Sequence, residues 1–105
     1  MMCWACSLRP DERWKCLDRS MGRSELHHLL TQAELRREFK SDPRLPDLLA
    51  DRRNLVPIGR WHHAQLHARM FRPVWDDLPH DAVAFASELG LAHILERRFP
   101  MKENA

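Results

Sequence analysis

The sequence lacks several features that would assign it to a class at once. No stretch approaches the ~18 consecutive apolar residues of a membrane-spanning helix, so we expect no membrane segment. The first residues have neither a basic start nor a long apolar run, and we expect no secretory signal. Only three cysteines are present, which argues against a disulfide framework. These absences favour a protein of the cytoplasm whose cysteines stay as thiols.

The composition predicts one small globular domain over residues 1–105. Hydrophobic residues make up 44% of the chain and charged residues 30%, as in folded soluble proteins. A chain of 105 residues buries a limited core, so a structural metal would be a useful supplement. Arginine supplies 14 of the 17 cationic side chains, and its guanidinium suits phosphate groups. A polyanionic partner is therefore plausible, and a solvated mixed-charge surface explains the arginines equally well.

The first third of the chain contains all three cysteines. Cys3 and Cys6 form a Cys-x-x-Cys turn, which is the usual half of a tetrahedral thiolate site for zinc. Cys16 follows at a distance that a folded chain could close. The alternative is a set of free or buried thiols.

Local patterns predict a mixture of strands and helices. We expect residues 13–17 and 24–30 to be strands that pair as a hairpin around Gly22. Residues 54–58 read as an edge strand, because Pro57 cannot donate a hydrogen bond to a sheet. Helices are expected over residues 31–40, 46–53, 61–71, 82–89 and 91–99, and Thr31 with Glu34 predicts a capping box at the start of the first. The predicted core residues of the last two helices are Val83, Phe85, Leu89, Ile94, Leu95 and Phe99.

Five of the seven histidines fall in two places, the pair His27-His28 and the segment that contains His62, His63 and His67. Histidines grouped in this way typically bind a metal or transfer a proton. His63 and His67 are four residues apart and share one helical face, whereas His62 points about 100° away. A zinc peptidase is excluded, because its glutamate base would stand where this chain has an alanine. The isolated His80 and His93 are expected to be structural or solvated.

The segment from Asn54 to His63 reads Asn-Leu-Val-Pro-Ile-Gly-Arg-Trp-His-His, and Glu25-x-His27-His28 precedes it. This pattern resembles the HNH (ββα-metal) endonucleases, in the phage and bacterial type with a cysteine knuckle. The resemblance covers about residues 3–72. It implies an α+β fold with a treble-clef-like ββα-metal core and a short β-hairpin, and it leaves a helical extension at about residues 78–100.

The resemblance also implies roles for individual residues. His28 matches the general base and Asn54 the residue that orients it. Glu25 lies where the nuclease colicins have a supporting acid. Those colicins hold one catalytic divalent ion with three histidines, which correspond here to His27, His63 and His67. Imidazoles suit zinc, nickel, cobalt or manganese better than magnesium, and the resemblance does not choose among them.

One departure from the family pattern lies at the second cysteine knuckle, where this chain has Gly59 and His62. A structural zinc site would then need another ligand, and Cys16 is the natural candidate. The expected set is Cys3, Cys6, Cys16 and His62, which is a sound ligand set for zinc. The alternative is a degenerate site that holds no metal.

Together these patterns predict a metal-dependent DNA endonuclease that hydrolyses phosphodiester bonds with an activated water. By family analogy it is encoded by a phage or bacterium, acts in the bacterial cytoplasm, and has partners in phage DNA packaging or processing. The arginines expected to contact phosphate are Arg23, Arg53, Arg60 and Arg69, with Arg19, Arg52 and Arg72 as further candidates. Two alternatives are a catalytically silent, zinc-stabilised nucleic-acid-binding module and an interaction protein that docks through its C-terminal helices.

Overall fold

The computed structural model describes residues 2–102, which form seven α-helices and one two-stranded sheet. The helices are α1 (Trp4–Leu8), α2 (Arg13–Arg19), α3 (Gln32–Glu38), α4 (Leu45–Ala50), α5 (Arg60–His67), α6 (His80–Glu88) and α7 (Ala92–Arg98). The strands are β1 (Ser24–His28) and β2 (Leu55–Gly59), and short 3-10 helices cover Pro10–Glu12, Arg52–Asn54 and Trp75–Asp77. The prediction of a small α+β protein is confirmed. None of the helices within residues 2–102 has the length and apolar character needed to cross a bilayer.

The two strands come from distant parts of the chain. β1 pairs with β2 in antiparallel register, with Ser24 opposite Gly59 and His28 opposite Leu55. The prediction of a strand at residues 13–17, paired with 24–30, is wrong, because these residues belong to α2. Pro10 starts a helical turn just before them, a position that proline favours. The helix turns Cys16 into the interior.

Two helix boundaries illustrate how local chemistry sets the ends. The capping box predicted before α3 is present: Glu34 N donates to Thr31 Oγ1, and Thr31 N donates to Glu34 Oε1. α5 ends at His67, several residues earlier than predicted. Arg69 takes a left-handed conformation with φ 61°, and the Phe71 N–H donates back to the Gln65 carbonyl. The chain therefore leaves the helix well before Pro73.

A single hydrophobic core joins both ends of the described chain. Trp4 of α1 meets Phe71 and Phe99 edge-on, with ring centroids 5.7 and 6.5 Å apart. The predicted core residues Phe85, Ile94, Leu95 and Phe99 are buried, while Val83 and Leu89 are only partly buried. The apolar faces of α6 and α7 are thus used inside the protein, which weakens the alternative that they form a docking face. His80 and His93 are exposed, as expected.

Candidate metal centres

Two groups of metal-ligating side chains lie in the described part of the chain, and within each group the ligand atoms are all within 4.8 Å of one another. The first, called here the thiolate site, consists of Cys3, Cys6, Cys16 and His62. The second, the histidine site, consists of His27, His63 and His67. Helix α5 contributes to both, because successive helical residues point about 100° apart.

The thiolate site has the spacing of a tetrahedral metal centre. His62 Nδ1 lies 3.6 Å from Cys6 Sγ and 3.8 Å from Cys3 Sγ. Ligands around zinc, with bonds of about 2.3 Å to sulfur and 2.0 Å to nitrogen, lie roughly 3.5 to 3.8 Å apart in a tetrahedron. Cys6, Cys16 and His62 are buried and Cys3 is partly so. The group could therefore hold a metal ion such as zinc in a closed site, the form typical of structural zinc.

Two neighbours orient the ligands of the thiolate site. His62 Nε2 lies 3.0 Å from Glu12 Oε1, so its N–H donates to the carboxylate and the Nδ1 lone pair faces the sulfurs. The Gly59 N–H donates to Cys3 Sγ at 3.1 Å. The sequence did not indicate Glu12, because its 3-10 turn has no side-chain pattern that separates it from a surface loop.

Cys6 needs a nearby cation in order to ionise at neutral pH. Burial, together with hydrogen bonds to Cys3 and Cys16, raises the pKa of the Cys6 thiol from 9.0 to about 12. In the absence of a compensating charge the Cys6 thiol therefore keeps its proton at neutral pH. A bound divalent ion supplies that charge and favours thiolates.

The missing cysteine at position 59 has a steric explanation. A Cβ built on Gly59 would lie only 2.4 Å from Cys16 Sγ and 3.2 Å from Ser20 Oγ. The sulfur of Cys16 thus occupies the space that a side chain at position 59 would need. Helix α2 would supply the fourth ligand of a metal bound here, and the backbone at the start of α5 must carry no side chain where it passes that sulfur.

The histidine site is built by β1 and α5. His63 Nε2 lies 3.1 Å from both His27 Nδ1 and His67 Nε2. Three nitrogens bound to one ion at about 2.1 Å would lie roughly 3.0 to 3.4 Å apart. His67 is exposed, so this group opens to solvent, unlike the thiolate site. An open position of this kind is typical of catalytic metal centres.

The protonation states of the histidine site also suit a metal. Glu25 Oε1 lies 3.1 Å from His63 Nδ1, which therefore donates and leaves the Nε2 lone pair facing the other two rings. Glu25 and His27 are two residues apart on β1 and so face the same side of the sheet. Burial, with the charges of His63 and His67, lowers the pKa of His27 from 6.5 to about 4. His27 is thus a neutral ligand at pH 7.

His28 and Asn54 have different contacts from those expected. His28 Nε2 lies 3.0 Å from the Leu49 carbonyl, so its N–H donates there and Nδ1 is free to accept a proton. Asn54 was predicted to orient His28, but its Oδ1 accepts from Leu30 N at 2.8 Å and its Nδ2 donates to Leu30 O at 2.9 Å. The Leu49 carbonyl orients the imidazole, and Asn54 holds the backbone beyond it. His28 is the last residue of β1, where the strand ends.

Most of the predicted phosphate-binding arginines are exposed, but one is paired within the protein. Arg23, Arg60 and Arg69 are exposed. Arg53 is paired within the protein: its Nη2 lies 3.2 Å from Asp51 Oδ2 and its Nη1 lies 3.0 Å from Glu88 Oε2. Its prediction as a phosphate contact is therefore corrected. The further candidates Arg19, Arg52 and Arg72 are exposed.

Comparisons of the chain with protein-family models, with curated proteins and with solved structures found no match. The interpretation of the two sites therefore depends on their own geometry. That geometry describes a closed group of three cysteines and a histidine that could hold a metal such as zinc. Beside it, on the other side of α5, lies an open group of three imidazoles.

The steric relation between Cys16 and Gly59 predicts that the fourth ligand can be moved. Cys16→Ala should lose zinc affinity by more than the roughly 10- to 100-fold that changes outside the ligand shell cause. The double variant Cys16→Ala/Gly59→Cys should regain most of the zinc affinity. The Cβ of a cysteine at position 59 would lie 2.4 Å from the place that Cys16 Sγ occupies in the wild type, and its sulfur would be one carbon–sulfur bond from that Cβ. Bound zinc and the absorption spectrum of the cobalt-substituted protein measure both effects.

The matched control is Cys16→Ala/Gly59→Ala, which fills the same space without a sulfur and should remain zinc-poor. All variants are made in a His63→Ala/His67→Ala background, so that only the thiolate site is counted. Zinc retention by Cys16→Ala alone would show that Cys16 is not a ligand.

The depressed pKa of His27 predicts acid instability of the metal-free protein. Unfolded His27 takes a proton near its ordinary pKa of 6.5, whereas the folded residue does so only near 4. The unfolded state therefore binds more protons in this interval, and the free energy of unfolding falls as the pH drops from about 6.5 to about 4. Urea titrations at several pH values should give a shallower dependence for His27→Gln. An unchanged slope in that variant, equal to that of the exposed-site control His93→Gln, would contradict the assignment.

Proposed function

We propose that this chain is a metal-dependent DNA endonuclease built on a ββα-metal core formed by β1, β2 and α5. The observation that supports this most directly is the convergence of His27, His63 and His67, with neighbouring nitrogens 3.1 Å apart, one residue from His28. A metal-binding module without catalysis would have no need of a second, separately oriented imidazole next to the ligands. The residue pattern that resembles the HNH endonucleases points in the same direction.

In this proposal His28 is the general base. Its Nε2–H is engaged by the Leu49 carbonyl, which leaves Nδ1 as the nitrogen that takes a proton from water. The water oxygen then forms a bond to phosphorus while the bond to the leaving strand oxygen breaks, and solvent protonates that oxygen. His27 and His28 contact different neighbours, His63 of α5 and Leu49 of α4, so the scissile phosphate would lie across the end of β1.

The histidine site would hold one divalent ion through His27 Nδ1, His63 Nε2 and His67 Nε2. Such an ion offsets the negative charge that gathers on the phosphate and its leaving oxygen. Three neutral imidazoles favour manganese, cobalt, nickel or zinc over magnesium, which prefers oxygen ligands. Glu25 fixes the ring of His63 through Nδ1, as a carboxylate commonly does beside a metal-bound histidine.

The thiolate site would serve as a structural zinc centre. Its members come from the N-terminal segment and from α5, so a metal ion bound by all four would link this segment to α5 through coordinate bonds. His62 and His63 are adjacent in α5, and fixing the first also fixes the direction of the second. The structural centre would in this way hold the catalytic ligands in place without touching substrate.

The proposed substrate is DNA. Arg23, Arg60 and Arg69 are exposed and suited to phosphate contacts, which position a nucleic acid without reading its sequence. A phage or bacterial origin and an association with packaging proteins stay predictions from the family resemblance.

A second candidate function is a zinc-stabilised nucleic-acid-binding module without catalysis. The burial of the thiolate site favours it, since a closed zinc centre would stabilise so small a domain whether or not the chain is an enzyme. Under this alternative the protein binds DNA but does not cleave it when a metal is present. A plasmid-nicking experiment distinguishes this function from the endonuclease.

We expect the protein to nick supercoiled plasmid in the presence of manganese, cobalt, nickel or zinc, tested in turn with magnesium and with a chelator. His28→Ala should lower the single-turnover rate by about 10²- to 10⁴-fold, the usual range for loss of a general base. Affinity for the plasmid, measured with chelator present, should change little. Agarose gel analysis of the nicked form gives the rate.

The matched control is His93→Ala, which removes an exposed histidine far along the chain and should keep full activity. Equal nicking by wild type and His28→Ala would rule out His28 as the base. DNA binding with no nicking under any metal would favour the non-catalytic module.

A further inference from the structure

Arg98 is the last residue of α7, and its guanidinium reaches the end of β1. Nη1 donates to the Leu29 carbonyl, and Nη2 donates to Glu34 Oε2. Leu29 follows His28 directly, so Arg98 holds the backbone at the point where the two adjacent histidines leave the sheet. This contact joins the C-terminal helices to the region that the proposed function makes catalytic.

Glu34 is well suited to anchor this arginine. Burial by itself would raise the pKa of Glu34. The pKa is nevertheless lowered from its ordinary value of 4.5, because the Thr31 backbone N–H and the Arg98 guanidinium both stabilise the carboxylate. The Thr31 N–H donates to one oxygen at 2.8 Å, and the other oxygen accepts from Arg98. The capping box of α3 therefore holds the Glu34 carboxylate in place, and this carboxylate in turn holds the Arg98 guanidinium.

The same backbone is also held by Asn54. The amide of Asn54 makes two hydrogen bonds to the Leu30 backbone, and Leu29 N donates to the Asn54 carbonyl at 3.0 Å. Asn54 and Arg98 thus both hold the backbone of residues 29–30. The two contacts together determine the direction in which the chain leaves β1.

Arg98 also places a positive charge near the histidine site. After burial and the charges of His63 and His67, it is the next contribution that lowers the pKa of His27. A fixed cation close to the imidazoles favours their neutral form and favours an anion such as a phosphate beside them. The Arg98 side chain is 34% exposed.

We propose that Arg98 is a positioning residue for the histidine site: by holding Leu29 it keeps His27 aligned toward the metal ligands of α5 and His28 aligned toward the phosphate. The C-terminal helices are then part of the functional site, although they lie outside the ββα segment. The catalytic part of this inference rests on the proposed nuclease function, while its effect on metal affinity does not.

An arginine is needed at this position because one planar group must satisfy two acceptors. The guanidinium presents donors in a fixed fork, so it can reach the Leu29 carbonyl and the Glu34 carboxylate at once. A lysine keeps the charge but is a point donor. Arg97 is the matched control, because it precedes Arg98 on the same helix and is exposed.

The test compares the full chain with Arg98→Ala, Arg98→Lys and Arg97→Ala, each with zinc already bound at the thiolate site. Calorimetric titration with nickel measures the affinity of the histidine site, and His63→Ala identifies the signal of that site. We expect Arg98→Ala to bind nickel about tenfold more weakly, as changes beside a ligand shell commonly do. Arg98→Lys should be intermediate and Arg97→Ala unchanged.

Where the wild type nicks plasmid, Arg98→Ala should lower kcat by about tenfold with little change in KM, because alignment rather than DNA contact is lost. A rise in KM alone would overturn the positioning role in favour of a simple phosphate contact. Nickel affinity equal to that of wild type in Arg98→Ala would overturn the proposal. Normal nickel binding by a wild type that never nicks would refute the nuclease proposal and leave the affinity test of Arg98 standing.

Glu34→Gln is the second variant, for the case in which Arg98→Ala does not fold. Glutamine also serves in a capping box, so α3 retains its start, but the charge that anchors Arg98 is removed. We expect a loss of nickel affinity in the same direction as for Arg98→Ala and smaller in size. An affinity equal to that of wild type would count against the role of Arg98.

Discussion

The site geometry depends on how the first turn of α5 is held. Three successive backbone N–H groups at its start find partners in the N-terminal part of the chain: Gly59 donates to Cys3 Sγ, Arg60 to the Arg23 carbonyl and Trp61 to Ser20 Oγ. The first N–H groups of a helix have no partner within the helix, so these contacts satisfy them and also fix the helix axis. The directions of the histidines on α5 follow from that axis. The close passage of Gly59 past Cys16 Sγ is possible only because residue 59 has no side chain.

The two candidate metal centres share one construction and differ in burial. In each, a carboxylate accepts from the far nitrogen of a histidine, Glu12 for His62 and Glu25 for His63, so the near nitrogen faces the other ligands. In the thiolate site Cys6, Cys16 and His62 are buried and Cys3 is partly buried, which suits a structural ion. The histidine site is exposed at His67, which leaves room for water and a phosphate. Burial, rather than ligand chemistry alone, thus separates the roles that we propose for them.

The chain between and after the strands supports the same region. The segment from α3 to α4 supplies the Leu49 carbonyl that orients His28 and the Glu34 carboxylate that anchors Arg98. Helix α7 reaches back to Leu29, while its apolar face packs in the common core. Helices that looked like plain scaffold in the sequence therefore contact the end of β1. The segment between the two strands and the C-terminal helices thus both lie beside the histidine site.

The sequence by itself determined the α+β class, the capping box of α3, the later helices and the helical pair His63 and His67, because periodicity and residue spacing are local properties. The placing of His27 with this pair and of Cys16 with the other cysteines was implied by the resemblance to the HNH endonucleases. The sequence also separated His62 from His63 and His67, since helical geometry alone divides their directions. The strand predicted at residues 13–17 was wrong, because Pro10 begins a helical turn that continues directly into α2. The pairing of β1 with β2, the contacts of Asn54 and the engagement of Arg53 depend on residues distant in the chain. Only the tertiary structure could show that Cys16 fills the space beside Gly59, because that contact joins α2 to the junction of β2 and α5, and no local signal specifies their relative position.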